Sequence, residues 1–293
     1  MLTDLHTHTS RSDGLLGPGA LVAAAHAAGL KALALTDHDS VAGIAEAAAE
    51  AARLGMTLVP GVELSFRDVD AASGRTAEHH MLGLFVAPAA PGLLAYLHGL
   101  QQERRSMADA TLARLRQLGL PVSAARVAEL AAGAVVTRPH IARAMVEAGY
   151  VATVGEAFER FLGSGRPAAV ERPGPGAAAT IAAIRGAGGV ASLAHPVFGQ
   201  EADWAERLAT LPGLLDRLVQ SGLAAVECRY PDATPAIAEQ LAAWAGERGL
   251  IRTGGSDYHG PDRAPYAELG HSAVGTEVVS QLSAISCQLS AAS

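Results

Sequence analysis

Seven short apolar runs, most of them separated by helical patterns, restrict this chain to a small set of architectures. The runs cover residues 2–7, 31–36, 57–64, 80–86, 189–194, 224–229 and 250–254. They are partly β-branched and bounded by glycine, proline or polar residues, as buried strands are. Helical periodicity fills 18–28, 41–54, 177–187, 204–220 and 235–248, and Gly29, Gly55 and Gly249 stand where helix C-caps belong. Such alternation predicts a parallel sheet, closed into a barrel or doubly wound. Closure is favoured because polar clusters follow nearly every strand, the layout of a barrel with its site at the C-terminal rim.

Residues 100–175 break the rhythm. A charged helix over 101–118 is followed by helical pieces at 124–132, 138–148 and 153–162, and then by a Gly/Pro-rich stretch from 163 to 176. We read this as a helical insertion, or lid, over the barrel mouth, with residues 1–99 and 176–293 forming a discontinuous barrel. The small, polar C-terminal end of the chain carries no comparable signal.

Each candidate chemical residue falls at a predicted strand end. The first strand ends in His6-Thr7-His8, with Asp13 in the next loop. Residues two apart in a strand share a face, so both imidazoles can reach one ion. The second strand runs into Thr36-Asp37-His38-Asp39 and the third into Gly61-Val62-Glu63. The fourth begins with Glu78-His79-His80, the fifth ends in His195-Pro196, and the seventh ends in Ser256-Asp257-Tyr258-His259. Alternation lets only one of His79 and His80 face inward; His80, which shares a face with Leu82 and Leu84, is the candidate. Imidazole and carboxylate without thiolate suit a Zn²⁺, Mn²⁺ or Fe²⁺ site. His26, His98 and His271 have no carboxylate nearby in the pattern and read as structural.

Composition narrows the setting. No run reaches the ~18 apolar residues of a membrane span. Polar Thr3, Asp4 and His6 occupy the place of a secretory leader's apolar core. Two cysteines, Cys228 and Cys287, make no disulfide framework, which suits a reduced cytoplasm. A net charge of −7 argues against a protein that coats DNA or other long nucleic acid. Nothing points to an obligate protein partner. Within the insertion, Arg138, His140 and Arg143 lie beside a helix start and Arg166 lies in a Gly-rich turn, a set suited to gripping phosphate. The polar run 101–105 reads as a solvated helix face.

The series His6-x-His8, Asp13, Thr36-Asp37-His38, Glu63, His80-Met81-Leu82-Gly83, Ala194-His195-Pro196 and Ser256-Asp257-Tyr258-His259 resembles the motif series of the PHP (polymerase and histidinol phosphatase) family. That resemblance implies an α/β fold, a distorted seven-stranded β/α barrel, with two to three divalent ions, Mn²⁺ foremost, then Zn²⁺, Fe²⁺ or Mg²⁺. Carried over position by position, it implies one ion on His6, His8, Glu63 and Asp257. Glu63 would bridge to a second ion on His80 and His195, and a third would sit on Asp13, His38 and His259. The lid motifs, 137–143 and 163–168, are similar to those of small PHP proteins that act as nucleoside 3′,5′-bisphosphate phosphatases and as 5′-to-3′ exonucleases on short RNA. Ala169 stands where that pattern often carries tyrosine.

A nucleotide, or a short RNA, is therefore the expected substrate. Water activated by the ions would be the nucleophile, the lid arginines would hold a second phosphate, and His140 is the candidate general acid. A histidinol-phosphate phosphatase would share the scaffold but need less arginine. An amidohydrolase would want a lysine on a middle strand, yet the single lysine, Lys31, opens the second. A non-catalytic metal-binding module would lack ligand positions, and none is missing.

Overall fold

The structure, a computed structural model, describes residues 1–69, 74, 76–163, 165–170, 174–199, 201–261 and 268–291, with the side chains of 202 and 203 left aside. Strands β1 (Leu2–Asp4), β2 (Ala32–Leu35), β3 (Thr57–Val69), β4 (Thr76–Leu84), β5 (Val190–Ala194), β6 (Ala225–Arg229), β7 (Ile251–Gly254) and β8 (Val274–Gly275) form one sheet in the order β7-β6-β5-β4-β3-β2-β1-β8. The two sides of the barrel meet where β1 runs on: Leu5 N donates to Gly254 O at 3.2 Å and His8 N to Tyr258 O at 2.9 Å. The sheet is thus a nearly closed barrel.

The expected all-parallel sheet needs correction. β4 runs antiparallel to both β3 and β5, while β1–β2–β3 and β5–β6–β7 are parallel. The chain length dictates this, because Val69 and Thr76 are too close in sequence for a crossover, which takes roughly a dozen residues or more. Reversal also explains why the fourth strand carries its histidine at the start: the N-terminal end of β4 shares a rim with the C-terminal ends of its neighbours. The pairing extends from Gly61↔Leu84 to Val69↔Thr76 and lengthens β3 past the predicted end at 64.

Helices α1 (Pro18–Ala27) and α2 (Ile44–Leu54) cover β2 and β3 through Leu21, Val22, Ile44 and Ala47. Helices α7 (Ala177–Gly186), α8 (Glu201–Ser221) and α9 (Pro235–Glu247) cover the other side with Ile181, Ile184, Leu215, Leu218 and Leu241. Inside the barrel, Leu5, Ala34, Val59, Leu82, Val190 and Ala225 meet Val278 and Leu282 of α10 (Glu277–Ala291). The C-terminal segment, silent in the sequence reading, therefore supplies an eighth strand beside β1 and a helix that completes the core.

The insertion begins on one continuous helix, α3 (Pro91–Gln117). Leu93, Leu97 and Leu100 belong to the barrel core, while Leu112 and Leu115 join a separate core with Val127, Ile141, Met145 and Leu162. Residue 99 thus lies within an unbroken helix whose packing partners change along its length. α4 (Ala124–Ala131), α5 (Arg138–Glu147), α6 (Val154–Ala157) and a π-helical turn at Phe158–Leu162 complete this second core. The chain returns to the barrel where Arg67 N donates to Pro175 O at 2.9 Å.

Candidate metal centre

Buried imidazole and carboxylate groups converge on the barrel axis at the rim. His6 and His8 leave the end of β1 on one face, and their Nε2 atoms lie 3.1 Å apart. Glu63 Oε2 is 3.4 Å from His6 Nε2 and 3.2 Å from His8 Nε2; Asp257 Oδ1 is 3.3 and 3.1 Å from the same two atoms. Atoms sharing a divalent ion at ~2.0–2.1 Å sit roughly 2.9–3.5 Å apart for octahedral to tetrahedral angles. The two imidazoles therefore stand with each carboxylate oxygen at the spacing that ligands of one ion have, and His6, His8 and Asp257 form a compact group. Gly255 makes this possible, because a Cβ there would meet His6 Cβ at 2.4 Å.

The other oxygen of Glu63, Oε1, lies 2.8 Å from His80 Nδ1 and 3.1 Å from His195 Nε2. On the remaining side, Asp13 is 3.3 Å from His259 Nε2 and 4.0 Å from His38 Nε2, and the other ring nitrogen of His38 is 2.9 Å from Glu63 Oε2. All nine sequence-predicted ligand positions (His6, His8, Asp13, His38, Glu63, His80, His195, Asp257 and His259) are brought into one cluster. His80 faces Glu63, whereas His79 lies on the opposite face, stacked on Phe66.

The electrostatics are those of a cation site. Burial alone would drive His8 down, but hydrogen bonds and charge from Asp257 and Glu63 outweigh it and carry it to about 10. His80 is similarly carried to about 9, against burial, by Glu63 and Glu78. Burial opposes ionisation of Glu63 and Asp257, yet the surrounding histidines hold both below the usual carboxylate range. His38 goes the other way, because desolvation outweighs the pull of Glu63 and Asp13. Glu63 Oε2 and Asp257 Oδ1 are buried with only histidine ring nitrogens against them and no well-aligned donor, a costly arrangement unless a cation completes it. Three rim residues, Asp39 (φ 48°), His195 (φ 23°) and Asp257 (φ 49°), hold left-handed backbone, at a cost of order 1–3 kcal/mol each.

Comparison with known proteins agrees with this geometry. Residues 4–131 match the PHP domain. A Haemophilus influenzae protein named 5′-3′ exoribonuclease is 35% identical over 91% of this chain and 92% of its own. A Chromobacterium violaceum protein named 3′,5′-nucleoside bisphosphate phosphatase is 33% identical over 92% of this chain and 90% of its own. The chain belongs to the PHP family. A Bifidobacterium adolescentis crystal structure assigned to the metal-dependent phosphoesterases superposes with a TM-score of 0.85 at 29% identity, covering 97% of this chain and 96% of that one. The protein is a metal-dependent hydrolase of phosphoester bonds, and the orphaned carboxylate oxygens suit the divalent ions such an enzyme uses.

Around the PHP centre lie residues that the sequence reading did not place there. Glu227, fully buried on β6, accepts from His6 Nδ1 at 3.1 Å and from the His195 amide at 2.8 Å. Its sequence signal was a lone acid in an apolar strand. Asp37 accepts from Thr9 and Ser12, and Asp4 accepts from His6, Ser256 and Gly270, so both tie the ligand loops together. Residues 101–105 do not all form a solvated face. Arg105 is exposed, but Arg104 turns inward to pair with Asp39 and donate to Ser65 Oγ at 3.2 Å, and Gln101 donates to Asp39 O at 2.8 Å.

The residues expected to grip phosphate are placed unevenly. Thr137, the N-cap of α5, donates from Oγ1 to Asp13 Oδ2 at 3.3 Å, which brings the start of that helix to the PHP centre. His140 is buried, and its Nδ1 accepts the Thr137 amide at 3.0 Å, so a neutral ring carries its proton on Nε2. Arg138 lies 3.9 Å from Glu78 and over the Phe158 ring. Arg143 is half-buried on α5, and Arg166 is exposed in the turn closed by its amide donating to Gly163 O. No helix among the described residues is long and apolar enough to cross a membrane.

Proposed function

We propose that this enzyme removes the 3′-phosphate from nucleoside 3′,5′-bisphosphates to leave the 5′-monophosphate, and that it degrades short 5′-phosphorylated RNA from the same end. The Thr137–Asp13 contact carries this reading, since it sets a helix N-terminus, with Arg138 and His140, against the metal centre. A substrate with two phosphates would reach both, one on the helix donors and arginines, the other at the carboxylate–imidazole cluster. The names of the H. influenzae and C. violaceum relatives support the same pair of substrates.

Two to three divalent ions, Mn²⁺ foremost, would be held by His6, His8, Glu63 and Asp257, by Glu63, His80 and His195, and by Asp13, His38 and His259. Bound there, they supply charge neutralisation of the phosphoryl group and an activated water. The chain's own side chains do the rest. Arg138, Arg143 and Arg166 hold the second phosphate, and His140, with Nε2–H available, donates to a phosphate or to the leaving oxygen. A cavity of about 170 Å³ lies over the cluster itself, lined by His38, Glu63, His80, His195 and Asp257 together with Phe198, Tyr230, Pro231 and Asp232, and offers space for the phosphate that is cleaved.

The test is incubation with Mn²⁺ and adenosine 3′,5′-bisphosphate, the products being resolved by chromatography. Adenosine 5′-monophosphate is expected, and it should resist further cleavage. A plain 3′-monophosphate should be a poor substrate, because charge-assisted contacts worth roughly 1.5–3 kcal/mol each go unmade. Adenosine 3′-phosphate as the main product would mean that the substrate binds in the opposite sense.

A further inference from the structure

Among strands β1 to β7, β6 alone brings no residue of the nine-member cluster to the rim, yet Glu227 sits at its centre with no exposure. A fully buried carboxylate needs a reason, because desolvation makes it expensive unless its oxygens are engaged. Here a single oxygen, Oε2, takes two donors from different strands: the His6 ring at 3.1 Å and the His195 backbone amide at 2.8 Å. The other oxygen, Oε1, is buried with no hydrogen-bond partner.

Each contact constrains something specific. Accepting from His6 Nδ1 holds a proton on Nδ1, so in the neutral ring that a metal ion requires, Nε2, the atom among His8, Glu63 and Asp257, is the nitrogen left to bind. The second contact acts on backbone. His195 holds φ 23°, which an L-residue adopts only under restraint, and its amide is tied to Glu227. That restraint keeps His195 Nε2 3.1 Å from Glu63 Oε1.

We infer that Glu227 is a positioning residue that orients both halves of the metal centre through one oxygen, fixing the His6 ring on one side and the strained His195 on the other. This rests on the ligand reading above, but its test is metal binding and does not depend on which phosphoester is cleaved. Outer carboxylates that orient ligating histidines typically change metal affinity 10- to 100-fold when removed. Because both donors meet one oxygen, glutamine can retain both hydrogen bonds with its carbonyl and place its amide nitrogen where Oε1 now stands. Aspartate keeps the charge but falls one methylene short.

The experiment compares wild type, Glu227→Gln, Glu227→Asp and Glu227→Ala, stripped of metal and titrated with Mn²⁺, the free ion being followed by electron paramagnetic resonance. Asp and Ala variants should bind Mn²⁺ 10- to 100-fold more weakly at both halves of the centre. The Gln variant should stay within about threefold of wild type. Unchanged Mn²⁺ affinity in a folded Asp variant would overturn the inference, as would a Gln variant as weak as Ala, which would make the charge the cause. Should the Ala variant fail to fold, the contrast between Asp and Gln decides.

Discussion

The metal-free centre stores protons where cations belong, and raising the pH should therefore loosen the stripped protein while tightening its hold on metal. Buried among carboxylates, His8 is carried to about 10 and His80 to about 9, from an ordinary imidazole value of 6.5. A group whose folded value is raised contributes stability that is fully present below the unfolded value and is lost as pH climbs through the folded one. Each ring then forfeits up to about 1.4 kcal/mol per pH unit above 6.5. From pH 7 to 8.5 the two together should remove roughly 2–4 kcal/mol from the stripped protein, a fall of the order of 3–7 °C in melting temperature. His6, which burial would lower but Glu227, Asp257 and Glu63 hold well above 6.5, adds to that loss. His38, shifted down, adds nothing above 6.5. With metal bound the protons are already displaced, so the melting temperature should stay level over the same interval. Affinity should move oppositely, since an ion that releases one proton binds about tenfold tighter per unit until the ring's own value is reached. Calorimetric melting of stripped and Mn²⁺-loaded protein at pH 7 and 8.5, with Mn²⁺ titrations at both, measures all of this. A stripped protein equally stable at both pH values, or an affinity that ignores pH, would refute the reasoning.

Adjacent histidines allow a sharp contrast. His80→Ala should reduce bound Mn²⁺, because that ring faces Glu63, whereas His79→Ala should keep full occupancy and at most soften the packing on Phe66; metal analysis of both proteins with the reverse outcome would exchange the assignments. Thr137→Val removes the hydroxyl that joins α5 to Asp13. It should cost about 0.5–2 kcal/mol, as N-cap losses do, and raise KM for adenosine 3′,5′-bisphosphate; an unchanged KM with unchanged melting would detach the lid from substrate binding.

Much of the candidate site was legible in the sequence because ligand placement is local. Two histidines two apart on a strand must share a face, and an acid just past a strand must lie at its end, whatever surrounds it. The cluster of nine residues follows once the strands close into a barrel. The α/β pattern followed from strand–helix alternation and closure from the polar clusters after the strands, and the PHP motif order pointed to the same fold. His80 was readable through the alternation of β4, which sends His79 to Phe66.

Other features depend on what lies across space, which no single segment encodes. The direction of β4 came from too short a link between strands, and only the assembled rim shows why a ligand stands at a strand start. Glu227 looked like a lone acid in an apolar strand until β1 and β5 were brought to either side of it. Arg104 looked like one charge among several on a polar helix; its inward turn depends on where α3 crosses Asp39 and Ser65. The C-terminal strand and α10 carry weak local patterns because their stability comes from contacts with β1 and the barrel interior. The sequence by itself therefore determined which groups could meet at the rim, through periodicity along each strand. The tertiary structure alone decided which buried acids and arginines hold them there, because those partners are distant in the chain and their roles arise from burial and shared hydrogen bonds.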